Sequence, residues 1–241
     1  MTLSYLQTSL DRLKDAGRED VIEICINPDG STWGEFHGDH FMSALGTPLS
    51  QTAIKDLGNQ IASAAGTTLS QKKPIVSVSI LYRDRPIRAQ VIQPPAVEGG
   101  FSISLRFFSS LPLEEIRLAY LFDKETSLEA LRRERNLALR EVVATGEIDA
   151  ALRFCVENKL NMIVSGGTST GKTVAARKIL SLVPDEERIV TIEDPVENKL
   201  PGVMQIAVKS DIGLTFAAGL RSILRADPNV VMIGEIRDLE T

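Results

Sequence analysis

Gly166-Gly167-Thr168-Ser169-Thr170-Gly171-Lys172-Thr173 decides how the second half of this 241-residue chain is read. The octapeptide satisfies G-x-x-x-x-G-K-[ST] at every fixed position. Residues 161–165 before it form an apolar run that predicts a strand, and 172–182 after it predict a helix. That context is the one the chemistry needs. Glycines let the backbone curl until consecutive N–H groups converge on phosphate oxygens, and the helix N-terminus adds partial positive charge. The Lys172 ammonium can then reach the β- and γ-phosphates of ATP or ADP, and the Thr173 hydroxyl can ligate Mg²⁺. The nucleotide-binding set is therefore Gly166, Gly167, Thr168, Ser169, Thr170, Gly171, Lys172 and Thr173.

Outward from the loop, strands and helices alternate. A helix is expected over 149–156, a strand over 188–192, a helix over 216–224 and a strand over 230–233. This order predicts a parallel α/β sheet. The strand over 188–192 runs into Glu193-Asp194-Pro195, which places two carboxylates where a parallel sheet presents ligands. The run Val230-Val231-Met232-Ile233 is followed by Gly234, which permits close backbone approach, and then by Glu235. A carboxylate there can hold Mg²⁺ or orient the attacking water. Glu193 and Glu235 are thus the catalytic candidates beside Lys172, with Thr173 and Glu235 the metal candidates. Sequence does not divide base and metal duties between the two acids.

The first half has a different texture. Leu3, Leu6, Leu10 and Leu13 recur at helical spacing, with Gly17 as the expected stop. A hairpin is expected from strands at 21–26 and 32–36 around Asn27-Pro28-Asp29-Gly30. A helix is expected to start near Thr47-Pro48, with Ile54, Leu57, Ile61 and Ala64 on one face. Strands follow at 76–81, 87–92 and 101–107. In the last of these, alternation puts Arg106 with Ser102 and Ser104 on a polar face. The resulting division is an α+β domain over 1–111, a helical connector over 112–145 and a P-loop domain over 146–241. The fold class is α/β.

Composition narrows the function. The formal net charge is −5, and no basic stripe suggests direct nucleic-acid binding. Two cysteines without C-x-x-C spacing, no secretory leader and no apolar run long enough to span a bilayer point to a reducing, cytoplasmic setting. Arg132, Arg133, Arg135 and Arg140 interleave with Glu129, Glu134 and Glu141 and read as a solvated helix face. His37 and His40 beside Asp39 read as surface residues, and Trp33 as core or interface.

Several stretches carry a family resemblance. Thr191-Ile192-Glu193-Asp194-Pro195 is similar to the aspartate box of the secretion "traffic" ATPases, which serve type IV secretion and conjugation, type II secretion and type IV pili. Leu224-Arg225-Ala226-Asp227-Pro228, running into Gly234-Glu235-Ile236-Arg237-Asp238, resembles the family's Walker B region. In the first half, Ile22-Glu23-Ile24-Cys25-Ile26-Asn27, Arg88-Ala89-Gln90 and Ser102-Ile103-Ser104-Leu105-Arg106 resemble the type IV secretion and conjugation branch. Residues 195–241 are more similar to the type II secretion and pilus branch.

The resemblance implies a RecA-type ATPase domain and a hexameric ring of motor subunits. It also implies work at the cytoplasmic side of the inner membrane with secretion-machinery proteins, with membrane association peripheral at most. Arginines matching Arg88 and Arg106 reach nucleotide phosphates in that branch, against the alternative of ordinary strand-surface charges. Arg221, Arg225 and Arg237 flank the second acidic strand and are candidate nucleotide sensors. Family members continue with a histidine box and further helices, so the ATPase domain up to Thr241 is expected to be C-terminally incomplete. A non-catalytic nucleotide-binding module is the alternative expectation.

Overall fold

A computed structural model of the chain describes residues 2–15, 20–39, 41–46, 48–83, 85–108, 114 and 127–236. The chain divides into two compact units: 1–109 together with 185–241, and 110–184.

The larger unit opens with α1 (Thr2–Asp15), then β1 (Val21–Ile26), β2 (Thr32–Phe36) and the short β3 (Ser43–Ala44). It continues through α2 (Gln51–Ala64), β4 (Ile75–Tyr82), β5 (Arg85–Ile92) and β6 (Ser102–Phe107). The strands pair antiparallel in the order β3-β2-β1-β6-β5-β4. The expected hairpin forms. Gly30 has φ +92°, and a Cβ there would stand 2.3 Å from the Leu49 carbonyl oxygen, so the turn needs glycine. The helix expected near Thr47 begins instead at Gln51, because the Ser50 hydroxyl caps it by accepting from Ala53 N–H.

Two-residue periodicity gives the sheet two faces. One carries Ile24, Ile26, Ile87, Ala89, Val91, Ile103 and Leu105 in a core closed by Leu6, Leu10 and Leu13 of α1 and Ile54, Leu57 and Ile61 of α2. Tyr82 Oη also donates to Asp11 Oδ1 at 2.5 Å, fixing α1 against β4. The opposite face is polar. Strand register sets Glu35, Glu23, Arg106, Arg88 and Ser79 in one row across five strands, and Trp33, Cys25, Ser104, Gln90 and Ser77 in the next.

The same unit contains a parallel sheet of β7 (Ile189–Glu193), β8 (Val203–Ala207) and β9 (Val230–Ile233) in the order β8-β7-β9, with α6 (Phe216–Ile223) alongside. β8 was not expected from sequence. Its five residues lie between the Pro201-Gly202 turn and a 3-10 turn at Ser210–Ile212. Val190, Ile192, Met204, Ile206 and Ile223 form a second core together with Ile92 at the end of β5 and Ala96 and Val97 from the segment after it. Backbone bonds join that segment to β8: Glu98 N–H donates to Gln205, and Ala207 N–H to Ala96.

In the smaller unit, α3 (Leu128–Ala144), α4 (Ile148–Glu157) and α5 (Lys172–Leu180) are described. Ser127 caps α3, and Lys178 of α5 pairs with Asp149 of α4 at 2.9 Å. Here the sequence expectation needs correction. Residues 161–165 are not a strand. The regular elements described in this unit are all helices, so the run finds no strand partner among them, and an isolated apolar run has no ladder to define it. Gly17, His40, Thr47, Arg237 and Asp238, and most of the connector before α3, lie outside the described residues.

Candidate functional site

The phosphate loop leads directly into α5. Gly171 is the residue before the helix and sits at φ +87°, a conformation glycine adopts without strain. Lys172 and Thr173 are then the first two helical residues, where helix geometry leaves N–H groups without intrahelical acceptors. Ser169 is also left-handed, at φ +58°. Thr170 Oγ1 donates to the Gly167 carbonyl at 2.9 Å, and the Lys172 ammonium donates to the same oxygen. The residues fit a phosphoryl group. A cation and a hydroxyl already converge on one oxygen acceptor at a helix N-terminus, and a phosphate oxygen offers the same acceptor chemistry with more charge. Mg²⁺ fits the Thr173 hydroxyl, an oxygen ligand of the kind that ion prefers.

The acids occupy the carboxyl ends of adjacent parallel strands. Glu193 ends β7, Glu235 stands two residues past the end of β9, and Ile192 is in register with Ile233. Gly234 N–H donates to Ile192 at 2.8 Å, and a Cβ on Gly234 would lie 3.1 Å from that carbonyl oxygen and 3.3 Å from Glu193 Cα. The close approach expected of this glycine is therefore present. Glu193 is 4% exposed, and its Oε1 accepts from Thr191 Oγ1 at 2.6 Å and Gln205 Nε2 at 2.9 Å. Gln205 is itself held by Leu200 N–H and by the Asn198 carbonyl. Gln205 escaped sequence reading because β8 did; only the parallel ladder puts it beside Glu193.

The polar face of the six-stranded sheet forms a recess lined by Glu23, Arg88, Gln90, Ser104, Arg106, Leu224, Arg225 and Asp227. Arg88 and Arg106, singled out in the sequence, are neighbours here, joined by Arg225. Glu23 lies 3.9 Å from the Arg106 guanidinium, and one carboxylate oxygen from each of Glu23, Glu35 and Asp227 falls within 4.8 Å of the others. Burial, then the Asp227 charge, pushes the Glu23 carboxyl up to about 8, with Arg106 and Arg188 pulling the other way. Glu35 is raised by the same two causes. Burial pushes the Cys25 thiol up to about 12, so it stays neutral beside Glu23 and Ser104. Arg188, 8% exposed, donates to Ser102 Oγ at 3.2 Å and links the start of β7 to β6.

Among the described residues no helix is long and apolar enough to cross a membrane. Arg132, Arg133 and Arg140 of α3 are exposed and Arg135 is half-buried; Arg133 pairs with Glu129 one turn away.

Comparisons with known proteins bear on this architecture. The chain resembles protein VirB11 of Rhizobium radiobacter, 26% identical over 245 residues that cover 97% of this chain and 69% of that protein. It also resembles type II secretion system protein E of Xanthomonas campestris pv. campestris, 52% identical over 81 residues. That stretch covers 33% of this chain and 14% of the longer relative. The fold matches the crystal structure of the VirB11 ATPase from the Brucella suis type IV secretion system in complex with sulphate. The TM-score is 0.76 at 22% identity, covering 100% of this chain and 73% of that one. Residues 91–241 match the family model described as type II/IV secretion system protein, and the chain belongs to that family.

Proposed function

We propose that this chain is an ATP-binding motor subunit that hydrolyses ATP to drive assembly of, or transport through, a bacterial secretion or conjugation apparatus. The observation that carries the proposal is the phosphate loop, with Lys172 and Thr173 as the first residues of α5 behind left-handed Gly171. Family membership supports the same reading. So does the sulphate in complex with the Brucella suis relative, an oxyanion with the shape of a phosphoryl group.

Gly166, Gly167, Thr168, Ser169, Thr170 and Gly171 present backbone N–H groups to the phosphates, and Lys172 adds a positive charge on a long side chain. Thr173 and Glu235 are the residues that would hold Mg²⁺, and the ion would supply positive charge to the phosphate oxygens. Glu235 and Glu193 orient water, with Gln205 and Thr191 fixing the Glu193 carboxylate. Arg88 and Arg106 supply guanidinium charge to the phosphates. The proposed division is an N-terminal α+β domain over 1–111, a connector over 112–145 and a RecA-type domain over 146–241. The proposed setting is cytoplasmic, in a ring of subunits, hexameric in the family, working with inner-membrane secretion proteins and without direct contact to nucleic acid.

A nucleotide-binding module without turnover is the second reading. Glu193 favours it, because a carboxylate engaged by two neutral donors is less available to a water. Mg²⁺-dependent ATP hydrolysis across a range of protein concentrations, with Lys172→Ala as blank, separates the two. Turnover per subunit that rises with concentration supports a motor assembled between subunits. ATP binding with no hydrolysis above the blank supports the module.

A further inference from the structure

The recess on the polar face of the six-stranded sheet pairs a buried donor that has nothing to donate to with a buried carboxyl crowded by two others. Gln90 is 2% exposed. Its Oε1 accepts from the Ser77 hydroxyl on β4, which leaves Nε2 for the recess, and among the described residues that nitrogen has no hydrogen-bond partner. A buried unsatisfied amide donor costs on the order of 1–3 kcal/mol, so such an atom points to a missing acceptor. Arg88 stands two residues before Gln90 on β5, Arg106 is its register partner on β6, and Arg225 lines the same recess. An acceptor that answers two or three guanidinium groups and an amide is an oxyanion.

Glu23 opposes an oxyanion only if it is charged. The groups that face it are Glu35 from β2, Cys25 on its own strand, Arg106 from β6, Arg188 before β7, and Asp227 before β9. Three carboxylates within 4.8 Å, with one 2% exposed, do not all ionise together, and the buried one keeps the proton. Glu23 then offers an O–H donor.

We propose that this recess is a binding site for one phosphoryl group, with Arg106, Arg88 and Gln90 Nε2 as donors and Glu23 acting as a carboxylic acid, so that binding takes up a proton from solvent. The inference rests on the reading of Arg88 and Arg106 as phosphate-contacting residues and adds Gln90 and Glu23 to that site. An anion beside Glu23 favours its neutral form, so uptake is small at pH 7, where Glu23 already holds a proton, and grows as pH rises through 8.

Titration calorimetry on the 241-residue chain tests this, with MgATP and, separately, inorganic phosphate, at pH 7, 8 and 9. Each pH is run in two buffers of different ionisation heat. For the parent chain, affinity should fall by up to about tenfold per pH unit above pH 8, with proton uptake in step. Glu23→Gln keeps the shape of the acid form and should flatten both. Gln90→Leu should weaken binding about tenfold or more. Arg106→Lys, at a half-exposed side chain, gives the same direction of effect if Gln90→Leu fails to fold. A response to inorganic phosphate alone supports a site for free phosphate; a response only to MgATP assigns the phosphoryl group to the nucleotide. Unchanged proton uptake in Glu23→Gln with unchanged affinity in Gln90→Leu and Arg106→Lys overturns the proposal. If Lys172→Ala binds MgATP as tightly as the parent, the phosphate-loop reading falls instead, and the inorganic phosphate arm still decides the recess.

Discussion

The phosphate loop and the polar recess each gather groups suited to phosphate, and they do so by opposite means. The loop does it within eight consecutive residues and one helix start. Its Lys172 and Thr170 meet on a carbonyl five and three residues away. The recess gathers its groups from β1, β5, β6 and the segment before β9, over sequence separations of up to about two hundred residues. Local assembly makes a site that a motif can describe and that tolerates exposure. Long-range assembly makes a site whose Glu23 and Gln90 are buried while its arginines stay exposed, a site that depends on sheet register and that no single contiguous motif describes.

The comparison breaks first at Lys172. If the loop is a self-sufficient site, Lys172→Ala should weaken ATP binding by about 100-fold or more, measured by calorimetry, since a charge-assisted contact worth about 3 kcal/mol is lost. Thermal stability should stay near that of the parent, because among the described residues the ammonium is paired with a loop carbonyl alone.

The second prediction sharpens the contrast through Gln205. Gln205→Leu removes a donor from buried Glu193 and breaks the bonds to the Asn198 carbonyl and from Leu200 N–H. It should cost about 1–3 kcal/mol, or roughly 3–9 °C in melting temperature. A melt within about 1 °C of the parent would show that Glu193 is not held by that network.

Third, the recess should write itself into the pH dependence of stability. The Glu23 carboxyl ordinarily titrates near 4.5 and here near 8, so between those values the folded chain binds a proton that the unfolded chain does not. This contribution is full below about pH 4.5 and is lost as pH rises through about 8. Chemical denaturation at pH 6, 7, 8 and 9 should show that loss in the parent. It should be absent in Glu23→Gln, whose amide mimics the neutral acid.

The smallest effect belongs to the face read as solvated. Arg133→Ala on α3 breaks one exposed pair with Glu129 and should change stability by no more than about 0.5 kcal/mol. A larger loss of ATPase activity or of self-association in that variant would mark the face as functional.

What was legible followed the range of the interactions. The hairpin at Asn27–Gly30, the strands at Thr32–Phe36 and Val230–Ile233, and the close approach at Gly234 were readable because turn chemistry, alternation and a glycine after an apolar run are local signals. The strand expected at 161–165 failed for the complementary reason. An apolar run is only permission for a strand, and pairing within the unit that contains it is what makes one. β8 was missed because five residues between a proline-glycine turn and a 3-10 turn carry too little periodicity to stand out.

Sequence by itself determined the phosphate loop, the two acidic strand ends and the family, because each is written in contiguous residues whose spacing the chemistry dictates. Tertiary structure decided that Glu23 keeps a proton, that Gln90 keeps a free donor and that Glu193 is held by Gln205. Those properties depend on burial and on charges brought close by strand register, and neither quantity exists until the sheets have formed.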